Sequence, residues 1–214
     1  MADATPSRDG LLDLAAAGDG AAWGVLLTEH EERLRRIVAF RLDARLRGRI
    51  DAADIVQEAF LEASEHRADY LRKAALPIFL WLRGVVRNKL LEVQRQHLGT
   101  RMRDAARDVA LQGAAMPHQT SADLVAQLTG HATRPSAGAI RGEDKKQLHD
   151  ALDAMDPIDR EVLALRHFEQ LTNGEAAQVL GIHERAAAKR YLRALARLKA
   201  ILAGMPGGLT GLRP

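Results

Sequence analysis

The chain has 214 residues, of which 47% are hydrophobic and only 4% aromatic, so it can bury one or two small cores built from leucine, alanine, isoleucine and valine. The net charge is only +3, but the isoelectric point is near 9.5 and the basic residues cluster in particular segments, where a polyanion could bind. With no cysteine, and with eight histidines scattered without ligand spacing, we expect no disulfide, no metal site and no cofactor. The sequence contains no apolar run of membrane-spanning length and no signal peptide, which predicts a cytoplasmic protein without a membrane partner.

The N-terminal part predicts a polar tail followed by two helices. The tail covers residues 1–10, and a short helix is expected over Leu11–Ala17, with Gly18 ending it. Asp19 has the position of an N-cap for a longer helix, because apolar residues recur at helical spacing from Trp23 to Leu42.

The next predicted helix has two different sides. Asp51 is expected to cap it, and it should span about Ala52–Glu65. Its inward side consists of Ile55, Val56, Ala59, Phe60 and Ala63, and its outward side consists of Asp54, Gln57, Glu58, Leu61 and Glu62. An acidic face with one exposed leucine suits docking to a basic partner helix, since apolar contact supplies affinity and charge supplies orientation. The alternative is an ordinary amphipathic helix with a solvated face.

Residues 66–76 are expected to be irregular, and Pro77 to begin a helix over about Ile78–His97. The predicted buried stripe is Ile78, Leu82, Val85, Val86, Leu90 and Val93, and the opposite face presents Gly84, Arg87, Asn88, Leu91 and Arg95. Arginines suit phosphates and asparagine offers a donor and an acceptor, so this face could hold a DNA strand. Gly84 would allow the strand to approach closely, or it is a tolerated helix defect costing about 1 kcal/mol. Trp81 is expected to anchor the core rather than to stack on a base.

The C-terminal part has the pattern of a helix-turn-helix with a recognition helix. Asp156 precedes a proline at the first helical position of a helix through Arg166, and Thr172 and Glu175 have the spacing of a capping box for a helix over Gly174–Leu180. Gly181 suits a left-handed helix exit. A third helix from about His183 to Leu202 has an apolar stripe of Ala187, Tyr191, Ala194, Leu195, Leu198, Ile201 and Leu202, with Arg185, Lys189, Arg193 and Arg197 on the opposite side. A basic helix that only solvates the surface is the alternative.

Four segments together resemble the bacterial RNA polymerase sigma factors of the extracytoplasmic-function group. They are the run DAADIVQEAFL from Asp51, the run FLWL from Phe79 with Arg87-Asn88, the run DREVL from Asp159, and Leu171–Ile182 with its Thr-x-x-Glu-Ala-Ala and Leu-Gly elements. Each motif is moderately specific by itself, whereas their order and separation make the set strong.

The resemblance implies an all-α protein of two small helical domains joined by a partly ordered linker. Region 2 would cover residues 11–98, the linker 99–136 and region 4 residues 137–203, with a tail at 204–214. Such a protein is not an enzyme. Its function would be to bind core RNA polymerase and to direct promoter-specific initiation by reading the −35 and the melted −10 DNA.

The resemblance also implies roles for particular residues. Polymerase binding would fall to Asp51, Asp54, Gln57, Glu58 and Leu61. Binding of the −10 element would fall to Arg83, Gly84, Arg87, Asn88 and Arg95. Binding of the −35 element would fall to Arg185, Ala186, Lys189, Arg190 and Arg193. The run Ala186-Ala187-Ala188 departs from the Thr-Val-Lys-like run of many relatives, which puts the expected −35 sequence in doubt.

The segment between the two matched halves is expected to be either a flexible tether or an inhibitory element. One helix is expected over Ser121–Leu128, and its Leu124, Val125 and Leu128 could pack between the domains in the free protein until polymerase competes. An anti-sigma protein is the other candidate regulator. The competing function is a helix-turn-helix regulator that binds duplex DNA as a dimer without polymerase.

Overall fold

The computed structural model describes residues 7–43, 45–46, 48–73, 75–98 and 142–205. This part of the chain contains helices and no β-strand, which confirms the all-α prediction. The chain divides into two compact units, the first covering Met1–Leu42 and Leu46–Gly99 and the second including Thr100–Pro214. The predicted linker and the helix expected over Ser121–Leu128 lie outside the described residues.

The described part of the first unit contains five helices. They are α1 Arg8–Ala16, α2 Gly20–Arg41, α3 Ala52–Glu65, α4 Arg67–Lys73 and α5 Ile78–Leu98. Helix α2 packs against α1, α3 and α5, and α3 also packs against α5. The core lies among these helices, and its most deeply buried members include Leu26, Leu34, Val38, Ile55, Leu82 and Leu90.

The predicted N-caps of this unit are confirmed. The Asp19 carboxylate accepts hydrogen bonds from the backbone N–H groups of Ala21 and Ala22, at 2.8 and 3.1 Å. The Asp51 carboxylate accepts one from Ala53 at 2.9 Å. These bonds satisfy N–H groups that have no partner within their own helix, and so they fix where α2 and α3 begin.

Helix α4 corrects the expectation that residues 66–76 are irregular. A seven-residue helix is too short to be stable by itself, so tertiary contacts must hold it. Tyr70 supplies them: its ring stacks on Trp81 with centroids 4.4 Å apart, and its hydroxyl donates to the carbonyl of Leu76 at 3.1 Å. Trp23 completes the aromatic cluster at 6.0 Å from Trp81, and its indole N–H donates to Ser64 Oγ at 3.1 Å.

The second unit contains α6 Gly142–Asp153, α7 Pro157–Leu163, α8 Asn173–Leu180 and α9 Glu184–Gly204. Helix α9 packs against α6, α7 and α8, around a core that includes Leu148, Leu152, Leu163, Leu165, Leu171, Leu198 and Leu202. We had not predicted α6, although its buried Leu148, Ala151 and Leu152 have helical spacing in the sequence.

Both ends of α8 have the predicted local structure. The Glu175 N–H donates to Thr172 Oγ1 at 3.1 Å, and the Thr172 N–H donates to the Glu175 carboxylate at 2.7 Å, which completes the capping box. Gly181 adopts φ 64°, the left-handed conformation that favours glycine. The helix predicted to run through Arg166 is α-helical only as far as Leu163. It continues as a π-helical turn over Ala164–Phe168.

Candidate nucleic-acid and protein interfaces

The acidic face of α3, defined by Asp54, Gln57, Glu58, Leu61 and Glu62, points away from the core. Asp54, Gln57 and Glu58 are exposed, and Leu61 is 69% exposed, more than any other large apolar residue in the described chain. The five predicted inward residues, Ile55, Val56, Ala59, Phe60 and Ala63, are all buried. The helix therefore presents an uncovered leucine within a field of negative charge.

Two neighbouring helices hold parts of the acidic face in place. The Gln57 amide donates to a carboxylate oxygen of Glu31 on α2 at 3.1 Å. On the other side, the Lys89 ammonium of α5 lies 3.9 Å from Glu58, 3.9 Å from Glu62 and 3.0 Å from Glu92. The hydrogen bond to Glu92 raises the pKa of Lys89, and Glu62 and Glu58 add to this, so the lysine stays charged. The pattern of residues within one helix does not indicate this role of Lys89, because the contacts join two helices.

The α5 face, defined by Gly84, Arg87, Asn88, Leu91 and Arg95, is mostly open to solvent. Arg87, Asn88 and Arg95 are exposed, and Gly84 and Leu91 are half-buried. A Cβ atom added at Gly84 would meet nothing within 4 Å, so no packing contact in the described chain requires a glycine there.

Arg83 requires a correction. Its residue is only 5% exposed and belongs to the buried side of α5, with Leu82 and Val86. A side chain buried in this way is not presented with Arg87 and Asn88, so Arg83 does not share the exposed face predicted to bind DNA. Helical position predicts this, since Arg83 is next to the apolar stripe.

A cavity of about 270 Å³ opens beside the α5 face, where α4 and the loop that follows it meet the start of α5. Its lining consists of His66, Asp69, Tyr70, Lys73, Ala75, Leu76 and Trp81. Trp81 is half-buried because one part of its ring stacks on Tyr70, which fits the predicted anchoring role, and the residue also lines the cavity. The lining of the cavity thus combines aromatic rings with charged and polar side chains.

The basic face of α9, defined by Arg185, Ala186, Lys189, Arg190 and Arg193, lies opposite the packed seam. Arg185, Ala186, Lys189 and Arg193 are exposed, while Arg190 is half-buried at the edge. The seam itself buries Ala187, Tyr191, Ala194, Leu198 and Leu202, and the remaining predicted members, Leu195 and Ile201, are half-buried. His183 caps the helix, since its Nδ1 accepts from the Arg185 N–H at 3.3 Å. Four cationic side chains are therefore held by a rigid helix of the helix-turn-helix.

The sequence pattern groups Arg197 with this basic side, but in the structure its side chain is paired within the fold. Its guanidinium donates to the Asp159 carboxylate on α7, and Asp159 is 7% exposed. Arg197 therefore joins two helices of the second unit.

Two further features are absent from the described residues, a membrane-spanning helix and a metal-binding cluster. None of their helices combines the length and the apolar character needed to cross a bilayer. Nowhere in the described ranges do three histidine or acidic side chains converge in a way that could hold a metal ion.

Comparison with known proteins identifies the second unit. Residues 145–198 match the family model for sigma-70, region 4, which spans α7, α8 and most of α6 and α9. The matched stretch includes the capping box, the Gly181 turn and the basic face.

Three curated relatives are each 28% identical to the chain. The probable RNA polymerase sigma factor RfaY of Xanthomonas campestris aligns with 86% of the chain, which spans 41% of that longer relative. RNA polymerase sigma factor NccH of Alcaligenes xylosoxydans aligns over 92% of the chain and 96% of its own length. The ECF RNA polymerase sigma factor SigD of Mycobacterium bovis aligns over 89% and 82%, respectively.

The fold is also similar to a solved structure, that of CnrH in complex with the cytosolic domain of CnrY. The TM-score is 0.52 at 22% sequence identity, and the match covers 93% of this chain and 98% of the other. At this identity the likeness supports the helical architecture.

The match of the helix-turn-helix to sigma-70, region 4, together with sigma factors that align over most of the chain, supports the class of RNA polymerase sigma factors. The region 4 match and the relatives named as extracytoplasmic-function factors support a sigma factor of that group. This similarity favours a transcription initiation factor over a helix-turn-helix regulator that acts without polymerase.

Proposed function

We propose that this sigma factor binds core RNA polymerase through the acidic face of α3 and directs initiation at promoters that it reads with α5 and α9. The observation that carries the proposal is that one unit exposes an acidic helix face with an uncovered leucine, while the other exposes the basic face of a recognition helix. Each face is opposite a packed core, so it is available to a partner. The proposed role is non-catalytic.

Docking to polymerase would use apolar contact at the centre and charge at the rim. Leu61 is the anchor, because its 69% exposed side chain gains most when it is covered. Asp54 and Glu58 flank it and would orient a basic partner helix. Lys89 supports this geometry, since its ammonium restrains Glu58 and Glu62 before the partner arrives. Asp51 would contribute at the start of the helix while it also caps α3.

Binding of the melted −10 strand would use the α5 face and the cavity beside it. Arg87 and Arg95 can contact phosphates, and Asn88 offers both a donor and an acceptor to a base. A base that leaves the duplex costs a few kcal/mol, which an aromatic-walled pocket and backbone charge can offset without nucleotide hydrolysis. The Trp81 wall of the 270 Å³ cavity supports this role for the neighbouring surface.

Reading of the −35 duplex would use α9 in the major groove. Arg185 and Lys189 lie near the N-terminal end of the helix, the end that helix-turn-helix proteins direct at base edges. Arginine and lysine can pair with guanine or hold phosphates, and Arg190 at the edge of the face suits a phosphate.

The test is reconstitution of initiation from purified components. The full chain is mixed with sigma-free bacterial core polymerase and a library of genomic fragments, and transcript start sites are mapped. We expect promoter-specific transcripts that require both the chain and core. Specific binding to duplex DNA as a dimer, with no transcripts and no core binding, would instead identify the competing regulator.

Regulation of the free factor belongs to the same proposal. An anti-sigma protein could cover the faces described above, or the linker patch of Leu124, Val125 and Leu128 could do so, although that patch lies outside the described residues. Deletion of residues 117–130 separates the two. If the linker inhibits the factor, core affinity should rise after the deletion. Unchanged core affinity and promoter activity would eliminate inhibition by the linker.

A further inference from the structure

An exposed leucine lies within the basic face of the recognition helix. Leu192 is 64% exposed, whereas Leu198 and Leu202 of the same helix are fully buried. Single exposed apolar residues are common at protein surfaces and need no special explanation. The surroundings of Leu192 are what distinguish it.

Helical geometry places Leu192 among cations that point the same way. It lies three positions after Lys189 and seven after Arg185, so all three share one face, and Arg193 is adjacent. The only acidic residue of α9 is Glu184, at the first position. An apolar protein surface that covered Leu192 would have to accept three positive charges around it, whereas a polyanion is attracted by them. Charge complementarity therefore favours DNA as the occupant.

Base chemistry then limits what Leu192 can recognise. A leucine side chain makes no hydrogen bond, so it contributes nothing to guanine, adenine or cytosine beyond steric fit. Thymine alone presents a 5-methyl group in the major groove, and apolar side chains recognise it by contact. The hydroxyl groups that could have supplied other contacts are absent from the run Ala186-Ala187-Ala188.

We propose that Leu192 is a specificity-determining residue that contacts a thymine 5-methyl group in the −35 element. This inference rests on the proposed function, because it requires the basic face to enter the major groove. Lys189 and Arg193 would hold the backbone or guanine edges on either side, and Leu192 would cover the methyl group between them.

The experiment removes the methyl group and the leucine separately and together. First, the −35 sequence preferred by wild-type holoenzyme is selected from a randomised promoter library. Each thymine of that element, on both strands, is then replaced singly by deoxyuridine, which lacks only the 5-methyl group. Holoenzyme binding is measured for the wild type and for L192A, with I158A as a matched control, since Ile158 is 52% exposed on α7 outside the recognition helix.

We expect uracil at one position to weaken wild-type binding by about fourfold, which corresponds to about 0.8 kcal/mol for one buried methyl-sized group. L192A should bind thymine and uracil promoters equally at that position, and I158A should behave as wild type. The slope of log affinity against log salt should be unchanged in L192A, because no phosphate contact is lost. Circular dichroism melting provides the control for folding.

Three outcomes would overturn the inference. Binding that no uracil weakens would mean that no methyl group is read, and sensitivity that persists in L192A would assign the contact to another residue, such as Ala186. A loss of core binding in L192A would show that Leu192 faces a protein. If wild-type holoenzyme selects no −35 sequence at all, the proposed function itself fails, which is a different result.

Discussion

The Arg197 guanidinium of α9 donates a hydrogen bond to the Asp159 carboxylate of α7, and so connects two helices of the stretch that matches region 4. The aspartate side chain is 10% exposed and the arginine side chain 62% exposed. A mostly buried carboxylate needs a partner, since it would otherwise be left without compensation for its lost hydration. Arg197 therefore helps to position α9, the helix that carries the basic face.

This assignment predicts different effects for two arginines of one helix. R197A should lower the free energy of unfolding by about 1 kcal/mol, because an ion pair with one exposed partner contributes little more than that. Its salt dependence of DNA binding should match the wild type. R193A should leave stability within about 0.5 kcal/mol and reduce the magnitude of the salt slope by about one, since one phosphate contact is lost.

Thermal melting and duplex titrations at several salt concentrations measure both quantities. Equal salt slopes for wild type and R193A would mean that Arg193 faces away from DNA. A shallower slope for R197A, with unchanged stability, would mean that the arginine leaves Asp159 to bind a phosphate.

Charge reversal on the acidic face tests polymerase docking. D54K and E58K each replace an exposed carboxylate beside Leu61, and we expect each to weaken core binding by about tenfold or more, because a repulsive charge would replace an attractive one. D13K is the matched control, since Asp13 is an exposed acid on α1.

Core affinity measured by fluorescence anisotropy separates the variants. D13K should bind as the wild type does. If E58K and D54K also retain full affinity, the acidic face is only solvated and polymerase docks elsewhere.

The glycine on the α5 face offers a test that changes stability and activity in opposite directions. Since a Cβ atom at Gly84 would meet nothing within 4 Å, G84A should stabilise the helix by up to about 1 kcal/mol. If a DNA strand approaches the backbone there, the added methyl group should slow promoter opening. G24A on α2 is the control, because that site has equally open space.

Melting temperature and the rate of open-complex formation provide the two readouts. G24A should raise stability in the same way and leave promoter opening unchanged. Normal promoter opening in G84A would identify Gly84 as a tolerated helix defect.

The burial of His30 should make the stability of the fold depend on pH. His30 is 6% exposed, its ring lies 5.6 Å from that of Phe79, and its Nε2 has no hydrogen-bond partner among the described residues. Desolvation lowers the pKa of His30 below its ordinary 6.5. Of the nearby charges, Glu29 opposes this shift and Arg8 and Arg33 add to it.

Because the folded state resists protonation of His30, the unfolded chain binds more protons as the pH falls below about 6.5. Stability should therefore be constant with respect to His30 above that pH and should fall between pH 6.5 and 5.5. H30F, which retains an aromatic ring against Phe79, should show a smaller decrease in melting temperature from pH 7.5 to 5.5 than the wild type does. Equal decreases in the two proteins would show that other groups cause the change.

Local signals in the sequence were sufficient for most helix boundaries. Asp19, Asp51 and Thr172 are caps whose bonds reach only two or three residues along the chain, and Gly181 needs its φ angle for a turn of its own backbone. The inward residues of α3 and the seam of α9 follow from periodicity, because a helix with one apolar stripe buries that stripe.

Contacts between distant residues were beyond such signals. Helix α4 exists because Tyr70 packs on Trp23 and Trp81, and Lys89 meets Glu58 and Glu62 only because α5 lies beside α3. The pairing of Arg197 with Asp159 likewise depends on which helices are neighbours.

The sequence by itself determined that this protein is helical, which faces of α3, α5 and α9 are charged, and which family it resembles. Those properties depend on residue spacing within single helices, and the 3.6-residue repeat makes that spacing readable. Only the tertiary structure decided which charged side chains remain free for a partner and which are engaged by the fold. Pairing between helices depends on how segments far apart in the sequence pack against one another, and the spacing within one helix carries no information about that.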